Sequence, residues 1–575
     1  MGVSRVFSRA RLAESEAGAI RKDWRGRYHI ALIYPNTYAV GISNLGFQTV
    51  YTQLNDIPEI VCERAFLPEG GSDNWPQIRT LESGRPLSDY DLIAFSVSFE
   101  NDYPNILSIL QLAGLPLLAK ERGTPHPLIL GGGVACFLNP EPISPFFDVF
   151  LFGEAEALLP SFLTVLLAGD PREILLERIA KEVKGAYVPS FYRVEYGPDS
   201  AIASVTPDCG APSVVKRVIE KDIQSFNTHS TILTPHGSFG SETLVEVSRG
   251  CPHGCRFCSA GYIYRPPRFR SQSQILTVLK SAAPKGYRAG LVGAAVSDLP
   301  FIEDLCREAG EWGIPLAFSS LRADRLTSGL ISNLAKDGVK TATIAPDAGS
   351  ERMRQVINKG ITEKQILDSV GGLVQAGILN VKLYFMVGLP EETLPDVDAV
   401  VQLVKAVKAV FLSESRHHRR IGRISVSING FVPKPVTPFQ WSAMDSPEVL
   451  REKMARIKRQ LASVANVQVK TENPKSSYLQ AILSRGDRRV SQLLQAGIAN
   501  GWNWPKTFRS WYMDPDFFAT RPRPLSEILP WDFIDSGVRK QFLWSEYQNG
   551  LNAKPSPSCP MKPCAECRVC STGNG

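Results

Sequence analysis

EVSRGCPHGCRFC, residues 246–258, closes a short apolar run, TLVEVS (243–248), and sets Cys251, Cys255 and Cys258 in a C-x3-C-x2-C spacing. Three thiolates in one loop can hold three irons of a 4Fe–4S cube. No fourth ligand of the usual kind lies nearby in the sequence, so one iron keeps an open position. An open iron can chelate the amino and carboxylate groups of S-adenosylmethionine. One electron passed to the adjacent sulfonium then breaks a C–S bond and frees a 5′-deoxyadenosyl radical. A structural zinc site is the other reading of clustered cysteines, but it wants four ligands, usually as C-x2-C pairs. His253, inside the loop, reads as a filler.

Downstream, five further strand-like runs follow: AGLVGAAV (289–296), PLAFSSL (315–321), TATIAP (341–346), VKLYFMVG (381–388) and RISVSI (423–428). Helix-length segments of mixed polarity separate them. Six such repeats with glycines at strand ends predict a partial (β/α)6 barrel over 241–440, with its chemistry at the carboxyl-end face. Upstream, YHIALIY (28–34), DLIAFSVSF (91–99), PLILGGG (127–133) and DVFLFG (148–153) alternate with helix-length stretches. That pattern predicts a second, Rossmann-like parallel sheet over 28–155. Ligands of such sheets sit at the strands' carboxyl ends, which here carry Asn36 to Gly41, Ser96, Ser98, Gly131 to Gly133, Gly153 and Glu154. Residues 1–27 read as a leader, 156–240 as a connector and 441–575 as an α-rich accessory region. The fold class is therefore α/β, with a helical, cysteine-bearing tail.

CPHGCRFC at the mouth of such a barrel resembles the radical S-adenosylmethionine (radical SAM) superfamily, which usually has an aromatic residue where Phe257 stands. The likeness covers roughly 240–440 and extends through four weaker stretches taken in order. LVGAAVSD (291–298) resembles the second-strand glycine region and places Gly293 near the methionyl end of the cofactor. SSLRAD (319–324) matches a stretch whose Ser and Arg, here Ser319 and Arg322, touch it. TIAPDAGSERMRQVINKG (343–360) implies that Asp347 hydrogen-bonds the ribose, and FMVGLPEET (385–393) implies that Gly388 lines the adenine.

The amino-terminal region is similar to the cobalamin-binding domain of one branch of that superfamily. The likeness implies cobalamin contacts at Asn36, Tyr38, Gly41, Ser96, Ser98, Gly131, Gly132, Gly153 and Glu154. Branch members that replace the lower cobalt ligand carry D-x-H-x-x-G; this chain reads NTYAVG (36–41), with Tyr38 in place of the His. A neutral phenol is a poor cobalt ligand. Three readings stand: cobalamin without a protein lower ligand, another small molecule, or an empty remnant. YPNTYAVGISNLGFQTVY resembles a mostly uncharacterised subgroup with Tyr at this position. FVPKPVTPFQW (431–441) resembles the same subgroup, with Val436 where relatives have His.

Eleven cysteines and no apolar leader fit a reduced, cytoplasmic compartment, and no stretch of about 18 apolar residues reads as a membrane span. Four cysteines are scattered, three form the loop above, and Cys559, Cys564, Cys567 and Cys570 close the chain as C-x4-C-x2-C-x2-C. The last four suit a second iron–sulfur cluster or a four-thiolate zinc site; an unoccupied tail is the third reading. From Lys405 onward 26 Lys and Arg face 13 Asp and Glu, within an overall charge of +7. The basic excess reads either as a surface for an anionic partner such as tRNA or as solvated helix faces. The stretch 502–523, rich in Trp and Arg, reads as a base-stacking platform or as an apolar cover over the barrel.

The function expected is that of a radical SAM enzyme drawing electrons from a donor such as flavodoxin or ferredoxin. It methylates or otherwise functionalises a C–H bond of an unidentified substrate. Alternatives are an RNA-modifying radical SAM enzyme without cobalamin, an iron–sulfur electron-transfer protein, and a zinc-bearing RNA-binding adaptor.

Overall fold

The computed structural model describes residues 8–69, 77–282, 288–318, 321–418, 421–562 and 564–570. Its amino-terminal sheet holds β1 (Tyr28–Tyr34), β2 (Ile60–Phe66), β3 (Leu92–Ser96), β4 (Leu128–Gly132), β5 (Val149–Leu151) and β6 (Ala186–Tyr187). The order is β2-β1-β3-β4-β5-β6, parallel except for the antiparallel β5–β6 pair. Near-continuous apolar runs suit strands covered on both faces. Ala31 and Ile33 enter a core shared with the barrel, while Ile30, Leu32 and Tyr34 face a separate cluster with Phe47 and Tyr51.

The second strand, IVCERAF, escapes the hydrophobic pattern because Glu63 and Arg64 interrupt it. Both are buried and both are satisfied. Arg64 pairs with Glu16 and Glu82 at 2.6 Å each, and Glu63 accepts from Trp24, Thr80, Ser83 and Tyr90. A buried charge is tolerated when paired in this way. Glu16 thereby pins the segment read as a leader onto the sheet.

The barrel is built from two parallel arcs. β7 (Thr243–Glu246), β8 (Ala289–Val292) and β9 (Leu316–Phe318) form one; β10 (Thr341–Asp347), β11 (Asn380–Val387), β12 (Arg423–Gly430) and β13 (Val467–Thr471) form the other. A parallel bridge from Leu321 to Ile344 joins them. All six runs read from the sequence are strands. β13 is a seventh, beyond the stretch assigned to the barrel. Its burial pattern is only half-buried to exposed, as an edge strand's would be. Crossover helices start where capping chemistry dictates: Thr362 and Gln365 form a capping box at the helix Glu363–Gln375.

The basic stretch 451–462 lies largely in the helix Pro447–Leu461, which buries Leu450, Met454, Ile457 and Leu461 on one face. Its Lys453 pairs with Glu392 and Asp445, and its Arg456 with Asp398. Part of the basic excess is thus matched by acids from upstream, Glu392 and Asp398. The 502–523 stretch is likewise packed: Trp502 lies against Trp504, Trp504 against Phe508, and Trp502 Nε1–H donates to Ser108 Oγ. Among the described residues no helix is long and apolar enough to cross a membrane.

Candidate active site at the cysteine loop

The cysteine loop leaves the first barrel arc through Gly250, whose φ of +80° and close approach to the Tyr264 carbonyl exclude a side chain. It then turns tightly, with Cys258 N–H donating to the Cys255 carbonyl at 3.1 Å. Neighbouring elements hold the turn in place. Asn358 Nδ2 and the Tyr262 hydroxyl both donate to the Gly254 carbonyl at 3.1 Å. Arg256 is fully buried, and its guanidinium donates to the carbonyls of Gln355 and Val356 while pairing with Glu546. His253 is more than a filler: Nε2 lies 3.0 Å from Asp298, at the end of the LVGAAVSD stretch. Nothing in the sequence signals that bridge, because 45 residues separate the partners.

The three thiols lie close enough to influence one another. Burial, reinforced by Cys255 and Cys258, pushes the Cys251 thiol up to about 12, and burial with Cys255 pushes Cys258 up to about 11. Burial disfavours a lone thiolate, and cluster binding removes the proton. Cations stand ready for the negative charge: Arg322 faces Cys251 and Cys255, and Lys359 faces Cys255 and Cys258. Among the described residues no three His, Cys, Asp or Glu side chains converge on one metal-ion position. The thiolates of a cubane each bind a different iron, so a cluster loop has its sulfurs spread rather than gathered about a point. Two buried polar atoms beside the loop, Ser248 Oγ and Asp298 Oδ2, have no protein partner. Free thiols, adjacent cations and partnerless polar atoms together fit an iron–sulfur cluster with a polar cofactor.

The other residues predicted for the cofactor divide. A Cβ on Gly293 would stand 2.4 Å from Ser248 Oγ, so this glycine is what lets the second strand's end approach the cysteine loop. Arg322 is held toward the thiols by Asp324 at 3.0 Å and by the Lys359 carbonyl. Asp347 ends β10 with a φ of 62° and pairs with Lys359 at 2.5 Å, so a ribose contact would have to share that carboxylate. Gly388 is turned to other work: its N–H donates to Glu392, and a Cβ there would meet Leu450 at 2.7 Å. It serves a turn and packs against the helix Pro447–Leu461. Ser319 lies outside the described residues.

In the amino-terminal sheet, strand order reverses between β1 and β3, and the crevice at such a switch point is where ligands bind. Asn36, Ser96 and Ser98 stand there, half-buried. Asn36 Nδ2–H donates to Asp102 at 2.7 Å, and Asn44 Nδ2–H donates to Ser98 Oγ at 3.3 Å. Gly132, at the end of the adjacent β4, has open space where a side chain would go. The other predicted contacts have packing partners within the fold. Tyr38 is buried edge-on against Phe66 with its hydroxyl on Glu16 at 2.7 Å, so it offers no ligating atom. Added Cβ atoms on Gly41 and Gly131 would strike Phe66 and Phe150 at 2.6 and 2.5 Å. Gly153, at φ +140°, lets the connector strand dock, its Cβ position being 2.1 Å from the Val218 carbonyl. Glu154 pairs with Arg249 at 2.9 Å and Arg268 at 2.6 Å. Burial alone would raise its pKa, yet these guanidiniums hold it below the usual carboxylate range. Glu154 therefore bolts the sheet to the strand that carries the cysteine loop.

Asp102 has the opposite balance. Burial, opposed by the Asn36 hydrogen bond and aided by Glu100, pushes its carboxyl up to about 6 from 3.8. The folded chain then binds this proton more tightly than the unfolded chain, so stability falls as pH rises from 3.8 to about 6. Asp102→Asn should be more stable than the parent at pH 7.5, by on the order of 2 kcal/mol, and equal to it below pH about 4. Urea unfolding midpoints at the two pH values check this; an unchanged difference would sink it.

Fold and site together define a class: a Rossmann-type sheet joined to an open parallel barrel whose mouth presents three thiols among cations. Comparison with known proteins agrees. The family models for radical SAM proteins, N-terminal, and for the radical SAM superfamily match residues 46–189 and 245–404. An uncharacterized protein of Methanocaldococcus jannaschii is 30% identical over 470 residues, which is 81% of this chain and 90% of that one. The ribosomal protein uS12 methylthiotransferase RimO of Thermodesulfovibrio yellowstonii is 23% identical over 244 residues, 38% of this chain and 56% of its own. Among solved structures, the radical S-adenosylmethionine methyltransferase TsrM from Kitasatospora setae, with cobalamin and a 4Fe–4S cluster bound, superposes with a TM-score of 0.50 at 14% identity. That match covers 82% of this chain and all of TsrM. This chain is a radical SAM enzyme, of one family with the Methanocaldococcus protein.

Proposed function

We propose that this enzyme functionalises a C–H bond of a substrate held between its two strand-end faces, with cobalamin in the amino-terminal crevice and methyl transfer as the outcome. One observation carries the reading: the carboxyl ends of the two sheets meet. Glu100, four residues past β3, is buried and pairs at 2.7 Å with Lys434, four residues past β12. Gln480 also donates to Glu100, at 3.3 Å. A ligand at the switch point would therefore face the barrel mouth. The fold shared with TsrM, which is described with cobalamin bound, supports the same placement.

Loaded, the cysteine loop supplies one electron to S-adenosylmethionine, and a cobalamin would supply a transferable methyl group. The chain's own residues do the rest. Cys251, Cys255 and Cys258 would hold the cluster, and Arg322 and Lys359 offset its charge. Ser248 and Asp298 offer the partnerless polar atoms a cofactor's amino-acid end needs. Ser96, Ser98 and Gly132 frame the crevice, and Tyr38 supplies no lower ligand. The Glu100–Lys434 pair closes one side against water, which would quench a radical. Val436, where relatives have His, cannot carry a proton. It holds a φ of 58° in a buried turn, with its N–H on Gln440. For a β-branched residue that is a strained conformation, of the kind that collects at functional sites.

Gly132→Leu tests the crevice without breaking the fold, since nothing lies within 4 Å of the new Cβ. Chain purified without oxygen from cobalamin-fed cells should carry cobalamin. The variant should carry it with at least about tenfold weaker affinity, a loss of roughly 1.4 kcal/mol, while still cleaving S-adenosylmethionine. Parent chain without cobalamin would remove the methyl-transfer reading.

A further inference from the structure

The carboxyl-terminal tail does not trail into solvent. After the helix Lys540–Leu551 it runs back across the cysteine loop. Cys559 N–H donates to the Pro252 carbonyl at 2.7 Å, and Ser556 N–H donates to Asn358 Oδ1 at 3.0 Å. Arg256, between two cysteines of the loop, also donates to the Lys554 carbonyl and to Ser556 Oγ. Ser558 Oγ lies 3.5 Å from the second ring nitrogen of His253. The same side chains that clamp the loop therefore clamp the tail.

The four tail thiols gather at this junction. Cys559, Cys564 and Cys567 line one small cavity whose far wall includes Gly254, Tyr262 and Asn358. Cys570 follows Cys567 by three residues on the same described segment and completes the set. Arg539 fixes the turn, its backbone N–H donating to the Cys567 carbonyl at 3.1 Å and its guanidinium to the carbonyls of Ala565 and Glu566. Four free thiols in a folded, anchored segment are a ligand set. A zinc ion would draw four sulfurs around one point. The spacing C-x4-C-x2-C-x2-C contains the C-x4-C-x2-C run of plant-type ferredoxin clusters, with a further Cys to complete the set. A 4Fe–4S cube takes one thiolate on each of its four irons, which is the number of cysteines here.

We propose that Cys559, Cys564, Cys567 and Cys570 hold a second 4Fe–4S cluster, and that this cluster is the port through which an electron reaches the first. Four thiolates leave no open iron, so this cluster can take and pass an electron but cannot chelate S-adenosylmethionine. The geometry suits a relay. Summing standard bond lengths through the Pro252–Cys559 hydrogen bond puts the α-carbons of Cys251 and Cys559 at most about 11 Å apart.

A reduced, low-potential one-electron carrier protein gives one electron to the tail cluster and is itself oxidised by one. The tail cluster passes that electron to the cluster on Cys251, Cys255 and Cys258 and returns to its oxidised state. The electron is consumed when the sulfonium's C–S bond breaks to methionine and the 5′-deoxyadenosyl radical; no proton moves. Lys554 and Lys562 are exposed on the tail, where Glu566 is the one exposed acid among the described residues, so an acidic carrier is the partner that fits. The relay rests on the reading of the first site; the second cluster does not.

The test uses full-length chain reconstituted anaerobically with ferrous iron and sulfide. The parent should hold about eight irons per chain, and a Cys251/Cys255/Cys258→Ala triple variant about four, with a cubane signal on reduction. A tail variant, the quadruple Cys→Ala or Cys564→Ser if the quadruple does not fold, should cleave S-adenosylmethionine within twofold of the parent when dithionite is the reductant. With reduced flavodoxin or ferredoxin it should be at least tenfold slower, and raising salt should slow only the parent's protein-driven rate. Zinc without iron in the triple variant overturns the second cluster. Equal rates of parent and tail variant with both reductants overturn the relay. Eight irons without any 5′-deoxyadenosine would instead overturn the reading of the first site, and the relay with it.

Discussion

Cys255→Ala should abolish reductive cleavage of S-adenosylmethionine. The expected fall is to the uncatalysed background, about a million-fold or more, since that is the lower range of enzymatic acceleration. Cys255 would be the middle ligand of the proposed cluster, in a loop with no further cysteine between 251 and 258. Its thiol is 8% exposed, and Arg322 and Lys359 both face it. Without it a cube would have two ligands and two open irons, and the loop's two positive neighbours would face an incomplete charge. Counting 5′-deoxyadenosine per chain after reduction checks this, with iron analysis beside it. Cleavage at the parent's rate would mean that these cysteines do not hold the reactive cluster.

Glu154→Ala should cost about 3 to 5 kcal/mol, the range for removing one partner of a buried ion pair. The estimate needs no large discount for solvent, because the Glu154, Arg249 and Arg268 side chains are only 6%, 11% and 9% exposed. Arg249 would retain Glu156 and Glu246, at 2.6 and 2.9 Å, but Arg268 would lose the carboxylate it pairs with at 2.6 Å. Because Arg249 stands two residues before Cys251, the loss should reach the chemistry as well: iron occupancy should fall along with the unfolding midpoint. Glu154→Gln keeps hydrogen-bond acceptance without charge and should lie between. An Ala variant with the parent's midpoint and full iron would show that the two sheets are held together elsewhere.

The basic carboxyl-terminal region shows what a charge count alone does not see. Its charge excess reads either as a surface for an anionic partner or as solvated helix faces, and five of its cations, Lys453, Arg456, Arg488, Arg489 and Arg521, have carboxylates within 3.1 Å. The acids they pair with include Glu392, Asp398 and Glu141, which lie upstream. A count over one region of the chain cannot see partners supplied by another.

The cysteine spacing, the six apolar runs of the barrel and the four of the amino-terminal sheet were enough to establish the fold class and the central loop. Such features are local: thiols within one turn, and strand periodicity within one element. The fate of the strand-end residues was settled only by tertiary structure. Gly132 and Gly153 end neighbouring strands with the same residue type, but one faces open space and the other receives the connector's backbone. Glu154 resembled a ligand contact until folding brought Arg249 and Arg268, from roughly a hundred residues downstream, against it. The tail's cysteines were visible as a set, whereas their seat on the first loop was not, because a hydrogen bond between residues 252 and 559 leaves no trace in either stretch. Bond chemistry and periodicity are written along the chain; which partner a buried group meets depends on how distant segments close around it.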